Sequence, residues 1–372
     1  SPSAEIAAGA AQTLLIRKSR RGQEAILERW ETLQPLVAPV CARFPGRMVE
    51  TLSALVEEAE LPKAQRALKA AVDIGEYDFI AKIIPHVENR RSRVHRDAEA
   101  ALDALVDSLY EETHGRRSYL RKRDPQLARA RVVQELESSV GRFEQHRNSA
   151  ILAAFLSLAG REHAHVGRIL SLMECATAVH QATVELLRSS KRPGVMRLLA
   201  SFLDDPHAPL AALQVAAARE DGPFMDEFLR RIEHGDRTNL GANLKRIPQW
   251  RWLDRHDNAW EDLFETEQAA AVTWVVLSGI APERKLRCLQ TVLKKGKRQA
   301  RLRAAEAIAA WTGEEANALI LEGLSDSEPR IRAIFLAQLR PRDLAGAVPR
   351  LIAALEDPDP SVRLAAQKQL PE

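Results

Sequence analysis

Residues Ala316 to Leu339 read ANALILEGLSDSEPRIRAIFLAQL, and residues Ala347 to Leu370 read AVPRLIAALEDPDPSVRLAAQKQL. The two stretches align without a gap at an offset of 31 residues. Leu351, Ile352 and Leu355 fall on Ile320, Leu321 and Leu324. Asp357 falls on Asp326, Pro360 on Pro329, and Val362-Arg363 on Ile331-Arg332. A period of this length marks stacked repeats. Each unit makes sense as a helical hairpin. In the first helix Val348, Leu351, Ile352 and Leu355 stand at i, i+3, i+4 and i+7 and predict one apolar stripe. Asp357-Pro358-Asp359-Pro360 ends that helix, because the residue before a proline avoids the α region and proline suits the first turn of a new helix. Asp359 or an adjacent residue is placed to cap the second helix, which turns Val362, Ala365, Ala366 and Leu370 inward.

This pattern resembles the HEAT family, in particular the short repeats also found in phycobilin lyases. The features shared are a Leu-rich helix ending at Leu355, Asp357-Pro358 in the turn, then Val362-Arg363 and Ala365-Ala366. The resemblance implies an all-α fold, a right-handed α-α superhelix built as a HEAT-like solenoid of stacked hairpins. It also implies that Asp326, Arg332, Asp357 and Arg363 form a structural ladder between adjacent repeats. Upstream the match loosens. Leu286 to Ala310 fits if the turn is two residues longer, with Leu302-Arg303 in place of Val-Arg. Met196 to Ala218 fits through Leu199, Leu203, Asp205-Pro206 and Leu210, with Ala211 where the ladder arginine would stand. The domain reading is a helical region over 1–124, composed of divergent repeats or a separate domain, followed by a repeat array over 125–372. A second candidate break lies at Ser189–Pro193.

Composition agrees with a folded helical chain. Of 372 residues 45% are apolar, 28% charged and only 5% aromatic, which favours helix over sheet. Lys and Arg number 54 against 51 Asp and Glu, so overall charge does not point to nucleic acid. Three widely spaced cysteines give neither a disulfide framework nor a metal pair and suit a reducing cytoplasm. No apolar run approaches the roughly 18–20 residues that span a bilayer. The chain opens on Ser1-Pro2-Ser3, a start compatible with a processed amino terminus.

Phosphate-cradling glycine loops, a nucleophile elbow and HExxH are all missing from the sequence. His163 and His165, two apart on an expected helix, should diverge. No catalytic residue, metal or cofactor is therefore assigned, and the chain reads as a binding protein rather than an enzyme. Three stretches could bind. The first is Arg116, Arg117, Arg121, Lys122 and Arg123 around Tyr119, cations that could grip phosphates beside a ring that could stack a base. The second is the turn Lys294, Lys295, Lys297 and Arg298, set in a run from Lys285 to Arg303 without an acid. The third is Trp250 and Trp252, near Trp260. Two residues apart on a helix point about 200° away from each other, so either one is exposed or the segment is not regular helix. Arg90, Arg91, Arg93 and Arg96 beside a helix start invite an anion.

Each stretch also has a purely structural reading: solvated loops, turns facing an acidic neighbour, and core packing. The functional expectation is a scaffold without enzymatic activity that binds a protein on its concave surface. The alternative is a nucleic-acid-binding protein akin to the HEAT-like alkylpurine-DNA glycosylases, which hold an alkylated nucleotide with Trp, Asp and Arg. A tetrapyrrole lyase is suggested only by the repeat subtype.

Overall fold

The computed structural model describes residues 2–58, 60–114, 124–171, 177–255 and 260–370. Among them are 24 α-helices, two short 3-10 turns and no strand. Helix starts follow the local chemistry. Asp124 accepts from the Gln126 N–H at 2.8 Å with Pro125 in the first turn, and Asn148 accepts from Ala150 and Ile151 at 2.9 and 3.2 Å. Asp359 accepts from the Ser361 N–H at 2.8 Å, with Pro360 opening the helix. Such caps satisfy amide donors that have no partner within the helix.

The chain divides into two compact units, Ser1–Leu199 and Ala200–Glu372. Residue 124 lies within the first unit, where helix His95–Thr113 packs against both Pro125–Val140 and Ser149–Leu158. The division comes closer to the Ser189–Pro193 break.

In the first unit one row of helices packs in succession: Pro2–Ile16, Trp30–Ala42, Leu61–Ile74, His95–Thr113, Ser149–Leu158 and Ala178–Ser189. Hairpin stacking is thus present where the sequence offers only a loose repeat match, near Ile83-Ile84 to Leu102. Buried Ala64, Ala67, Ala70 and Ala71 on Leu61–Ile74 let its neighbours come close. Ala98, Leu102, Leu105 and Leu109 form the buried stripe of His95–Thr113. Trp30 is fully buried, and its Nε1 donates to Asp73 at 2.8 Å, so the indole buries a large apolar area without losing a hydrogen bond.

The second unit contains a solenoid-like stack of hairpins. Its row is Gly222–His234, Glu265–Leu277, Arg298–Ala309, Pro329–Leu336 and Pro360–Gln367, each packed on the next. The helices Pro282–Lys295, Glu314–Gly323 and Ala347–Ala354 supply the other arm of the last three hairpins. Equivalent positions are buried at the same offset: Leu289, Ile320 and Leu351 in the first helices, and Ala300, Ile331 and Val362 in the second. Ala304, Phe335 and Ala366 continue the series. The period therefore runs unbroken into the third hairpin from the end. The longer turn and the Leu302-Arg303 match expected there are incorrect. Ala300-Arg301 occupies that place, and a small inward Ala300 had disguised it.

The last hairpin also departs from expectation. Of the stripe Val348, Leu351, Ile352 and Leu355, only Leu351 is fully buried, while Val348 and Ile352 are 51% and 55% exposed. In the preceding hairpin the equivalent Asn317 and Leu321 are half-buried, and Arg342 from the following connector donates to Asn317 Oδ1 at 3.0 Å. No described residue covers Val348 and Ile352 in that way.

Gly323, at the end of Glu314–Gly323, abuts the ring of fully buried Phe335, and a Cβ there would collide with it. Gly323→Ala is expected to lower stability by about 1–2 kcal/mol through overpacking, despite alanine's better helix propensity. Gly222→Ala, which meets nothing within 4 Å, should be neutral or slightly stabilising. Urea denaturation midpoints of the two variants check this.

Candidate functional site

The edge of the second unit where successive hairpins meet carries Asp326, Arg332, Asp357 and Arg363 together with the turn Lys294 to Arg298. Arg332 occupies its centre. Its Nε and Nη2 donate to the two carboxylate oxygens of Asp357 at 2.9 and 2.7 Å, a bidentate fork across hairpins. Its Nη1 donates to the backbone carbonyls of Asp326 and Ser327 at 2.8 and 3.3 Å. One period earlier Arg301 pairs with Asp326. One period later Arg363 Nη1 donates to the Asp357 and Pro358 carbonyls at 2.7 and 2.9 Å. Asp326 and Asp357 also accept the amides of Glu328 and Asp359 at 2.8 and 2.9 Å. Each aspartate thus shapes its own turn and receives the previous hairpin's arginine. The Arg332 fork holds the Asp357 carboxyl below the usual carboxylate range, with partial burial opposing it. Arg301 belongs to this series. The sequence reading missed it, although it stands at the same 31-residue offset before Arg332 as Arg332 does before Arg363.

The cationic turn is engaged with its neighbours. Lys294 pairs with Glu322 at 3.1 Å and Lys295 with Glu261 at 2.9 Å. Lys297 donates from Nζ to the Leu263 carbonyl at 2.7 Å and lies 6.0 Å from the centre of the Phe264 ring. Arg298 forks onto Glu328 at 2.8 and 3.3 Å, which holds the Glu328 carboxyl low. Arg303 donates two bonds of 2.8 Å to Glu233 and one of 3.1 Å to Thr273 Oγ1. The acids come from other hairpins, so a run of cations in sequence is locally near neutral in space. The exposed pairs among these, Lys294 with Glu322 and Lys295 with Glu261, are worth little and exchange readily.

Trp250 and Trp252 do not form a binding surface. They are 2% and 6% exposed, and Trp260 is 4% exposed. Trp250 precedes the short helix Arg251–Arg255, so the divergence expected of a regular helix does not apply. Trp274, fully buried, lies 5.1 Å from Trp250, 5.7 Å from Trp252 and 4.9 Å from Phe228, between ring centres. Edge and tilted contacts suit the ring quadrupoles. This is a core, and the comparison with nucleotide-gripping Trp surfaces loses its basis.

His163 and His165 converge rather than diverge. The helix begins only at Ala164, and both rings face Glu137, at 3.8 and 3.4 Å, with Phe155 edge-on to each. Arg93 Nη2 donates to the Val56 and Glu57 carbonyls at 3.0 and 3.1 Å, at the end of helix Val49–Glu58. Arg116, Arg117, Tyr119, Arg121, Lys122 and Arg123 lie outside the described residues. Among the described residues, no group of three or more His, Cys, Asp or Glu could hold a metal ion. No helix there is long and apolar enough to cross a membrane.

No family model matches the chain, and no curated protein matches it. Similar solved structures include an engineered protein from a structural genomics consortium, with 15% identity over 99% of this chain and 93% of that one, at a TM-score of 0.28. Another is a chain from a structure of Kap95p with RanGDP, with 13% identity over 96% of this chain and 48% of that one, at a TM-score of 0.31. At such TM-scores neither bears on fold or function here.

Arg332→Ala removes the fork and both carbonyl contacts and should cost roughly 1–3 kcal/mol at neutral pH. Arg298→Ala, at a more exposed pair, should change stability far less. A carboxyl whose pKa is lowered by folding stabilises fully above its unfolded value near ~3.9 and loses that contribution as pH falls through the folded value. The gap between wild type and Arg332→Ala should therefore narrow in acid, as read by urea denaturation from about pH 7 down to about pH 3.

Proposed function

We propose that this chain is a non-enzymatic helical-repeat scaffold that binds a protein partner on the face built by the second helices of its hairpins. The observation that carries this is the unbroken row from Gly222–His234 to Pro360–Gln367. Stacked repeats of this kind present extended surfaces that individual hairpins lack. The exposed side chains of the row are mixed: Asp226, Arg230, Glu306, Arg330 and Leu364. A surface of interspersed charge with an apolar residue 51% exposed suits a protein better than a polyphosphate, which needs a cationic track. The engagement of Lys294, Lys295 and Arg298 with acids supports the same choice over nucleic acid. A cytoplasmic setting fits the thiols. Cys41 is buried and free, and burial pushes its pKa up to about 12, a packing residue rather than a nucleophile.

Immobilised chain should retain a discrete protein from extract of its native cells. A Glu306→Arg, Arg330→Glu double variant, both changes at exposed positions, should keep its helical circular dichroism and lose that protein. Fluorescence anisotropy with duplex DNA at low salt should show negligible binding. Retention of no protein, together with DNA binding whose salt slope is about −4 or steeper, would reverse the assignment in favour of nucleic acid.

A further inference from the structure

The first unit contains a feature that the scaffold reading leaves unused. A polar cavity of about 580 Å³ lies where the turn before helix Arg20–Glu28 meets the turn Pro45–Arg47 and helix Val49–Glu58. That volume is in the range of sites for small metabolites. Lys18, Arg20, Arg47 and Lys82 border it, against only two acids, Glu50 and Glu57. Arg20 is engaged by Glu24 at 2.9 Å, and Lys82 is loosely paired with Glu50 at 3.6 Å. Lys18 and Arg47 have no acidic partner among the described residues. Two cations are therefore available at the rim, with a third held only by an exposed pair of little strength.

The floor is rigid. Gln23 and Thr51, 2% and 3% exposed, are hydrogen-bonded to each other, and Gln23 Nε2 donates to the Arg47 carbonyl at 3.1 Å. The Gly46 N–H donates to Glu76, itself 1% exposed, at 2.8 Å, and Gly46 has a φ of +80° that favours glycine. The cationic turn is thus fixed before any ligand arrives, which lowers the ordering cost of binding. Lys18 holds a φ of +51°, a left-handed conformation that costs a lysine about 1 kcal/mol. The conformation closes helix Pro2–Ile16, with the Lys18 and Ser19 amides donating to the Leu15 and Leu14 carbonyls at 3.2 and 3.1 Å, and so fixes where Lys18 stands.

We propose that this cavity binds a small phosphorylated polyol, a sugar phosphate in chemical class. Lys18 and Arg47 take the phosphate, and Lys82 turns to it from Glu50. Thr51, Ser53 and Glu57 are placed for hydroxyl groups, which need both donors and acceptors. No aromatic side chain lines the cavity, so nothing there would stack a nucleobase. The site is independent of the scaffold reading, since it lies in the other unit.

Isothermal titration of the intact chain with glucose 6-phosphate, inorganic phosphate, glucose and AMP tests this. Glucose 6-phosphate should bind with a Kd below about 1 mM, phosphate more weakly, and glucose not at all. Lys18→Gly with Arg47→Ala should weaken glucose 6-phosphate at least about tenfold while the melting temperature is kept, because glycine relieves the left-handed strain. The proposal fails if neither phosphate nor glucose 6-phosphate binds up to about 10 mM, or if the double variant binds as well as wild type. It fails equally if AMP binds more tightly than glucose 6-phosphate. Binding to vesicles containing phosphatidylinositol 4-phosphate, without binding of glucose 6-phosphate in solution, would also overturn it, since the ligand would then be a lipid surface.

Discussion

The second unit depends on a single constraint: a two-helix hairpin cannot bury its apolar stripe alone and must use its neighbours. Leu289, Ile320 and Leu351 in one arm, and Ala300, Ile331 and Val362 in the other, are buried because hairpins lie against one another in a fixed register. Hydrophobic burial by itself has no direction. The arginine fork adds direction to the register that the packed side chains share. Arg332 reaches its own turn through two carbonyls and the next turn through a carboxylate, so a slip between hairpins would break directed, charge-assisted bonds.

The same logic explains why a cationic run is not a cationic patch. Along the chain, Lys294 to Arg303 contains no acid. In space, Glu322, Glu261, Glu328, Asp326 and Glu233 come in from other hairpins. A repeat protein separates its charges by sequence and reunites them by stacking. The pairs are of two kinds. Arg332 and Asp357 are mostly shielded from water and act as a structural joint. Arg298 and Lys295 are exposed, and their pairs tune surface charge more than stability.

The aromatic cluster shows a third use of residues that look functional. Phe228, Trp250, Trp252 and Trp274 fill the region between Gly222–His234 and Glu265–Leu277. Here the sequence lacks a clean hairpin match, and large rings pack beside the buried Ala269, Ala270 and Ala271 of Glu265–Leu277. Nε1 of both Trp250 and Trp274 is buried without a hydrogen-bond partner, a desolvation cost that the burial of such large rings exceeds.

The sequence alone determined the helical class, the 31-residue period, the Asp-Pro turns and the residues that cap them, because these depend on backbone preferences and on spacing within one hairpin. It also placed Arg332 and Asp357 in the right pattern. Tertiary structure alone decided which acids neutralise Lys294 to Arg303, that Trp250 and Trp252 are interior, and that the helices before residue 190, where the repeat match is loose, stack in succession. Those outcomes depend on partners tens of residues away, such as Arg303 with Glu233, and on whether a face is covered, as with exposed Val348 against half-buried Asn317. Periodicity reports which side of a helix is apolar; only the packed neighbours determine what that side meets.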